Sequence, residues 1–274
     1  MSTSTLPSFA GKVALVACAS RGIGAVTAQA FARAGAAVVI AARDGQALGA
    51  VADAIRGTGG RVLAVPTDVG DPAAVEELVA QAMDAYGRLD AAFNNANDGA
   101  PPAPLADLDV DDFDRAIRVN VRGTFLGMKY QIPALLRSGG GAIVNMASLA
   151  GSIGVAQLAA YVAGKAGIIG LTRVAALDYA DQGIRVNVVA PGPILTHHLE
   201  QAGPEAQRQA GQATPMKRIG RSEEVAATVL WLCSEQSSFI TGATVPIDGG
   251  QSAGLKPASL YRAPSMREGG VKSG

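Results

Sequence analysis

Charge of either sign is not in excess in this sequence. Its 274 residues hold 23 Lys+Arg against 23 Asp+Glu, so the formal net charge is zero. A basic field for a nucleic-acid backbone or an anionic membrane is therefore missing. Cysteine is scarce: Cys18 and Cys233 are the two in the chain, both in apolar segments. They make neither a disulfide framework nor a zinc cluster, and a reducing cytoplasm fits. Long hydrophobic runs are also lacking, since Val13–Ala17 and Ala36–Ala42 are far too short to span a bilayer. The start, Met1 to Ala10, carries no basic patch of a secretory signal. Aromatic residues amount to 4% whereas glycines number 34, a composition that permits close helix-on-sheet packing and backbone approach to a ligand. The expected partner is a small molecule handled by a few local charges, with no nucleic acid and no membrane.

What is abundant is apolar: 49% of residues are hydrophobic and 17% charged, suited to a layered core covered on both faces. Short β-branched runs at Lys12–Ala17, Ala36–Ala42, Arg61–Val65, Leu89–Phe93, Ala142–Met146, Arg185–Val189 and Ala243–Ile247 predict seven strands. Between them Gly22–Ala34, Gln46–Arg56, Pro72–Tyr86, Asp111–Ser138, Tyr161–Ala180 and Ser222–Cys233 carry apolar residues at helical spacing. Such alternation predicts an α/β fold, a single doubly wound Rossmann domain with a parallel sheet flanked by helices on both faces. Ligands then sit beyond the carboxyl ends of the strands. Residues 1–250 form the one expected domain, and Gln251–Gly274, rich in Pro, Gly and Ser, is expected as a tail, flexible or docked on a neighbouring subunit.

After the first strand comes Ala17-Cys18-Ala19-Ser20-Arg21-Gly22-Ile23-Gly24, opening a helix at Gly22. Glycine-rich backbone amides at a helix N-terminus suit a pyrophosphate, although a plain tight turn would look similar. The second strand ends at Ala42 and is followed by Arg43 and Asp44. A carboxylate at the strand end would select NAD(H), whereas a 2′-phosphate needs cations. Arg21 and Arg43 favour NADP(H) over NAD(H), with Asp44 expected as a helix N-cap; in the alternative, Asp44 holds the ribose hydroxyls.

Further along stand Asp68-Val69, Asn94-Asn95-Ala96, Asn120 in Val119-Asn120-Val121-Arg122-Gly123, Ser148, Tyr161-Val162-Ala163-Gly164-Lys165, and Pro191-Gly192-Pro193-Ile194-Leu195-Thr196. Tyr161 and Lys165 share one helix face, so the ammonium is expected to favour phenolate, and Ser148 to polarise a substrate oxygen. In this order the motifs resemble the short-chain dehydrogenase/reductase family from about Phe9 to Gly250, with a likeness to NADP(H)-dependent ketoreductases of the 3-oxoacyl-carrier-protein reductase type.

The resemblance implies an NAD(P)-dependent oxidoreductase interconverting a ketone or aldehyde and an alcohol, with Tyr161 as acid/base. It assigns a ribose contact to Lys165 and a water anchor to Asn120. It also places Asp68 and Val69 at the adenine, Asn94 and Ala96 at the adenosine ribose, and Pro191, Gly192, Ile194 and Thr196 toward the carboxamide. A mobile lid around residues 197–219 and a homotetramer, or a dimer, follow from the same likeness. A non-redox cyclase or isomerase, or an NADP(H) sensor, is the alternative on this scaffold. Two positions depart from the family pattern: Cys18 replaces the first glycine of the loop, and Asn97 replaces the glycine closing Asn-Asn-Ala-Gly. Cys18 is expected to resist a positive φ, and Asn97 to tolerate one. Adjacent His197 and His198 lack ligand partners, so no metal is expected. The acidic run Asp107–Asp114 is expected to start a helix.

Overall fold

The computed structural model describes residues 7–254. Seven strands, β1 (Val13–Ala17), β2 (Ala37–Ala42), β3 (Arg61–Pro66), β4 (Ala91–Asn94), β5 (Gly141–Met146), β6 (Ile184–Pro191) and β7 (Thr244–Ile247), form one sheet in the order β3-β2-β1-β4-β5-β6-β7. Every pairing is parallel. The order reverses between β1 and β4, and a crevice opens there because the crossovers on either side leave in opposite directions.

The helices are α1 (Gly22–Arg33), α2 (Gly45–Gly57), α3 (Pro72–Tyr86), α4 (Val110–Ile117), α5 (Gly123–Arg137), α6 (Ala159–Tyr179), α7 (His197–Gln201), α8 (Gly203–Gln212) and α9 (Ser222–Cys233). β1 and β2 are buried along their whole length, and their side chains divide with period two. Ala14, Val16, Val38 and Ile40 face one core with Phe31, Leu48, Ile55, Val225 and Leu230 from α1, α2 and α9. Leu15, Ala17, Val39 and Ala41 face the other with Leu78, Met128, Ile132, Leu135 and Ala175 from α3, α5 and α6. α6 is long and apolar enough to cross a membrane by length and composition, yet it packs against β6 and contributes to this second core.

Local signals start the helices where expected. Asp44 caps α2 by accepting from the Ala47 amide, Asp71 caps α3 ahead of Pro72, and Asp109 caps α4. The single helix expected over Asp111–Ser138 is instead two, joined by a π turn at Arg118–Arg122. There Asn120 Nδ2 donates to the Ala116 carbonyl (2.9 Å), supplying a partner that the widened turn diverts from it. Residues 197–219 contain α7 and α8, which apolar periodicity did not signal. Their base is closed by Leu195 N donating to Gly220 O and Gly220 N to Pro193 O, both at 2.9 Å. The tail expectation lies, beyond Gly254, outside the described residues, as do the side chains of His197 and His198.

β6 is tied to the far end of α9 by Arg185. Its guanidinium donates to Leu232 O (2.8 Å), Ser234 O (2.9 Å), Ser237 Oγ (3.0 Å) and Ile240 O (3.4 Å). Methionine would fill the volume but strand these acceptors. Arg185→Met is expected to cost about 2 kcal/mol and to lower the thermal midpoint by roughly 5 °C, measured by circular dichroism.

Candidate active site

The glycine-rich loop between β1 and α1 is prepared for an anion. Arg21 precedes α1 without capping it by a side chain, and no acidic residue stands in the first turn. The first amides of α1 are thus left for a ligand, whereas α2, α3 and α4 are each capped by an aspartate. A Cβ on Gly24 would lie 2.8 Å from Asn95 Nδ2, so only glycine fits without displacement. Asn95, which sequence reasoning did not single out, holds the loop by donating to Cys18 O at 3.1 Å. Gly22 and Cys18 both take positive φ, 55° and 54°. The expectation that Cys18 would forbid this conformation is therefore corrected: the main chain keeps the turn and the cysteine carries the strain. Asn97 is not among the described residues with positive φ, so its suitability for the left-handed region is not used. The Cys18 thiol is pushed up to about 11, mainly by burial, and is not poised as a thiolate.

Ala42 is buried at the end of β2, while Arg43 and Asp44 are exposed. Asp44 spends one oxygen on the cap of α2, and its other oxygen lies 3.9 Å from Arg21 Nη2. Two guanidinium groups thus flank the space beyond β2. Asp68 is engaged as well: Gly70 N (2.9 Å) and Arg118 Nη2 (2.8 Å) donate to its two oxygens. Burial alone would raise its pKa, but these donors hold it below the ordinary carboxylate value. Val69 is buried beside it.

The candidate reactive cluster comes from the turn after β5 and from α6. Ser148 follows β5 and caps a short 3₁₀ turn, accepting from Ala150 N at 3.2 Å and lying 3.5 Å from the Pro191 carbonyl. Tyr161 and Lys165 project from the first turns of α6. Lys165 is fully buried, and its Nζ donates to Ala96 O (2.9 Å) and Met146 O (3.3 Å) while sitting 5.5 Å from the Tyr161 ring centroid. The expected depression of the tyrosine is reversed here. Burial raises the Tyr161 phenol, with hydrogen bonding to Ser148 pulling the other way. Burial also brings the Lys165 amine down to about 7. Desolvation outweighs attraction because the ammonium protons point to carbonyl oxygens rather than to the phenol oxygen.

Asn120 is buried against Gly164 of α6, where a Cβ would meet it at 3.1 Å. Both amide protons are spent, on Ala116 O and on Asp98 O (2.6 Å). Asn94 does not reach the crevice with its side chain. It pairs with Gln131 and Asn145 at 2.8–3.0 Å between the sheet and α5, so only its main chain could serve a nucleotide. On the far side, Pro191 ends β6, Gly192 N donates to Ile247 O (3.1 Å), and Ile194 is buried. A cleft of about 580 Å³ is bounded by Arg21 and Gly22 on one wall and by Leu195, Thr196, Glu200, Arg221 and Ser222 on the other. Ser20 and Ile23 are half-buried near its loop. The uncapped amides, the cations beyond β2 and this cleft together fit an extended, doubly phosphorylated nucleotide.

Lys165 makes the ligand-free protein pH-sensitive. Between about pH 7 and 10.5 the unfolded chain holds a proton that the folded lysine lacks, so its linkage makes stability rise with pH. The buried thiols act oppositely above about pH 9, because their folded values exceed the unfolded ones. Thermal midpoints without ligand should therefore climb from pH 7 to about pH 8.5, and Lys165→Met should remove that slope.

Known proteins are similar to this chain in sequence and fold. Residues 17–252 match the family described as enoyl-(acyl carrier protein) reductase. The chain is 39% identical over 241 residues to cyclohexanol dehydrogenase of Acinetobacter sp. (strain SE19), covering 88% of this chain and 95% of that protein. It is 40% identical over 243 residues to the A-factor type gamma-butyrolactone 1'-reductase (1S-forming) of Streptomyces virginiae, covering 87% and 95%. The crystal structure of levodione reductase superposes with a TM-score of 0.86 at 35% identity, over 90% of this chain and 100% of that one. Alcohol and carbonyl chemistry with NAD(P) is common ground for this family. With the switch-point crevice and the ordered Ser148, Tyr161 and Lys165 behind it, the chain belongs to the short-chain dehydrogenase/reductase family, as an oxidoreductase.

Proposed function

We propose that the protein is an NADP(H)-dependent reductase of ketones, with Tyr161 as proton donor, and that it also runs in the alcohol-oxidising direction. The observation that carries this reading is the meeting of Ser148, a neutral Tyr161 and the buried Lys165 beside the uncapped start of α1. When bound, the coenzyme supplies the hydride. Ser148 Oγ orients the carbonyl oxygen, and Tyr161 Oη delivers the proton to it as it becomes an alkoxide. A phenol kept protonated by burial suits the reductive direction. Lys165 orients the coenzyme ribose and sits where its charge can ease return of the proton during oxidation.

Ser20, Arg21, Gly22, Ile23 and Gly24 would hold the diphosphate, Arg21 and Arg43 the 2′-phosphate, and Asp68 and Val69 the adenine. Main-chain atoms of Asn94 and Ala96 would meet the ribose, and Pro191, Gly192, Ile194 and Thr196 the carboxamide. Preference for NADP(H) is supported by two cations beyond β2 and by an Asp44 already committed to its helix cap. The similarity to a cyclohexanol dehydrogenase makes cyclohexanone and cyclohexanol suitable probes. A cytoplasmic homotetramer is proposed, with Phe125 of α5 and Val174 and Leu177 of α6 exposed for subunit contact. The relatives are redox enzymes, and no observation favours the cyclase, isomerase or sensor alternative.

Purified protein should oxidise NADPH in the presence of cyclohexanone or related ketones, followed at the coenzyme absorbance. Tyr161→Phe should lower kcat by about 10²–10⁴-fold while NADPH still binds. Full turnover by that variant would remove the assigned acid. Arg43→Ala should raise the KM for NADPH about tenfold and leave that for NADH unchanged, as loss of one charge-assisted contact requires.

A further inference from the structure

The long connection from β4 to α4 passes over the tyrosine and is pinned there by side chains. Asn120 Nδ2 donates to Asp98 O at 2.6 Å, and Asp98 N donates back to Asn120 Oδ1 at 3.4 Å. The Asp98 carboxylate accepts from Gly99 N (2.9 Å) through one oxygen and from Arg115 Nε (3.2 Å) through the other. Arg115 Nη2 lies 3.5 Å from Gly99 O, and Asp112, one turn earlier in α4, pairs with the same guanidinium. Farther along, Ala103 N donates to Gln157 O at 3.0 Å. Gln157 is one of the described non-glycine residues with positive φ, 66°, four residues before Tyr161. A Cβ built on Gly99 would lie 3.8 Å from Tyr161 Cδ2, with no other heavy atom within 4 Å.

These contacts converge on one consequence. The connection has scant regular structure of its own beyond a 3₁₀ turn at Leu105–Asp107, so its place above the tyrosine depends on the side chains that hold it. Gly99 lies beside the ring, and the space around it is otherwise open. Its φ is not positive, so a side chain would meet no backbone strain there. In the segment between Ser148 and Tyr161, Ile153 and Val155 are exposed apolar residues, which suits an uncharged ring or chain rather than an acid.

We propose that Arg115 and Asp98 form a clasp that positions residues 97–104 as one wall of the substrate site, with Gly99 setting the width of the uncharged ketone admitted beside Tyr161. Arg115 is a positioning residue, since it acts through Asp98 and the connection, and Gly99 is the specificity-determining position. This rests on the reductase reading above and adds what limits its substrate.

Three measurements test it. Gly99→Val should reduce kcat/KM for 4-tert-butylcyclohexanone at least tenfold more than for cyclohexanone, because only the bulkier ring needs the open space. Arg115→Gln should raise the KM for cyclohexanone about threefold to fivefold, the scale of a partly exposed ion pair, with the KM for NADPH unchanged and Arg115→Lys partly restoring it. Hydrogen exchange of the ligand-free protein should show faster exchange at Gly99 and Ala103 in Arg115→Gln than in the wild type, with α1 amides unaltered. Equal losses on both ketones in Gly99→Val, or unaltered exchange in Arg115→Gln, would overturn the clasp. Wild-type protein without NADPH turnover on any ketone would instead sink the reductase reading, and the exchange measurement would still decide the clasp.

Discussion

A single buried ammonium joins the parts of this site. Lys165 Nζ reaches from α6 to Ala96 O beyond β4 and to Met146 O at the end of β5, so one cation ties together three elements. Taking that charge out of water is unfavourable, and its amine is driven toward neutrality as a result. A group retained at such cost in the ligand-free protein is consistent with a function that recovers the cost only when a ligand is present. The tyrosine one turn earlier inherits its position from the same arrangement.

Around this cation the scaffold divides its labour cleanly. Small residues on β1, β2 and β4 let helices lie close on both faces, and parallel strands gather every functional loop at one edge. Aspartates cap α2, α3 and α4, while α1, at the glycine-rich loop, has no side-chain cap. A buried amide network of Asn94, Gln131, Asn145 and Thr172 then locks β4, β5, α5 and α6 together directly behind the reactive cluster. Every polar atom there has a partner at a place where an unpaired one would be expensive.

Much of this was legible in the residues. Strand positions were readable within one or two residues because buried parallel strands need continuous apolar runs, and Pro72–Tyr86 and Ser222–Cys233 were readable to the residue. The expected helix through Asn120 was not interrupted by any proline or glycine signal near residue 118, so its π turn was invisible. α7 and α8 were missed because Gln- and Gly-rich helices bury too little to show a periodic apolar face. Asn95 had no spacing rule to mark it, since its partner Cys18 is close only after β1 and β4 pair.

The order of motifs along the chain determined the family and the parallel sheet and marked the candidate side chains, because those depend on local pattern and on residue types with distinct chemistry. Charge state and contact were decided by the folded molecule. Whether a phenol is raised or lowered, whether an asparagine faces a crevice or a core, and which loop an arginine holds all depend on what else is packed nearby. That information lies in distances between residues far apart in sequence, and only the tertiary structure brings them to a few ångströms of one another.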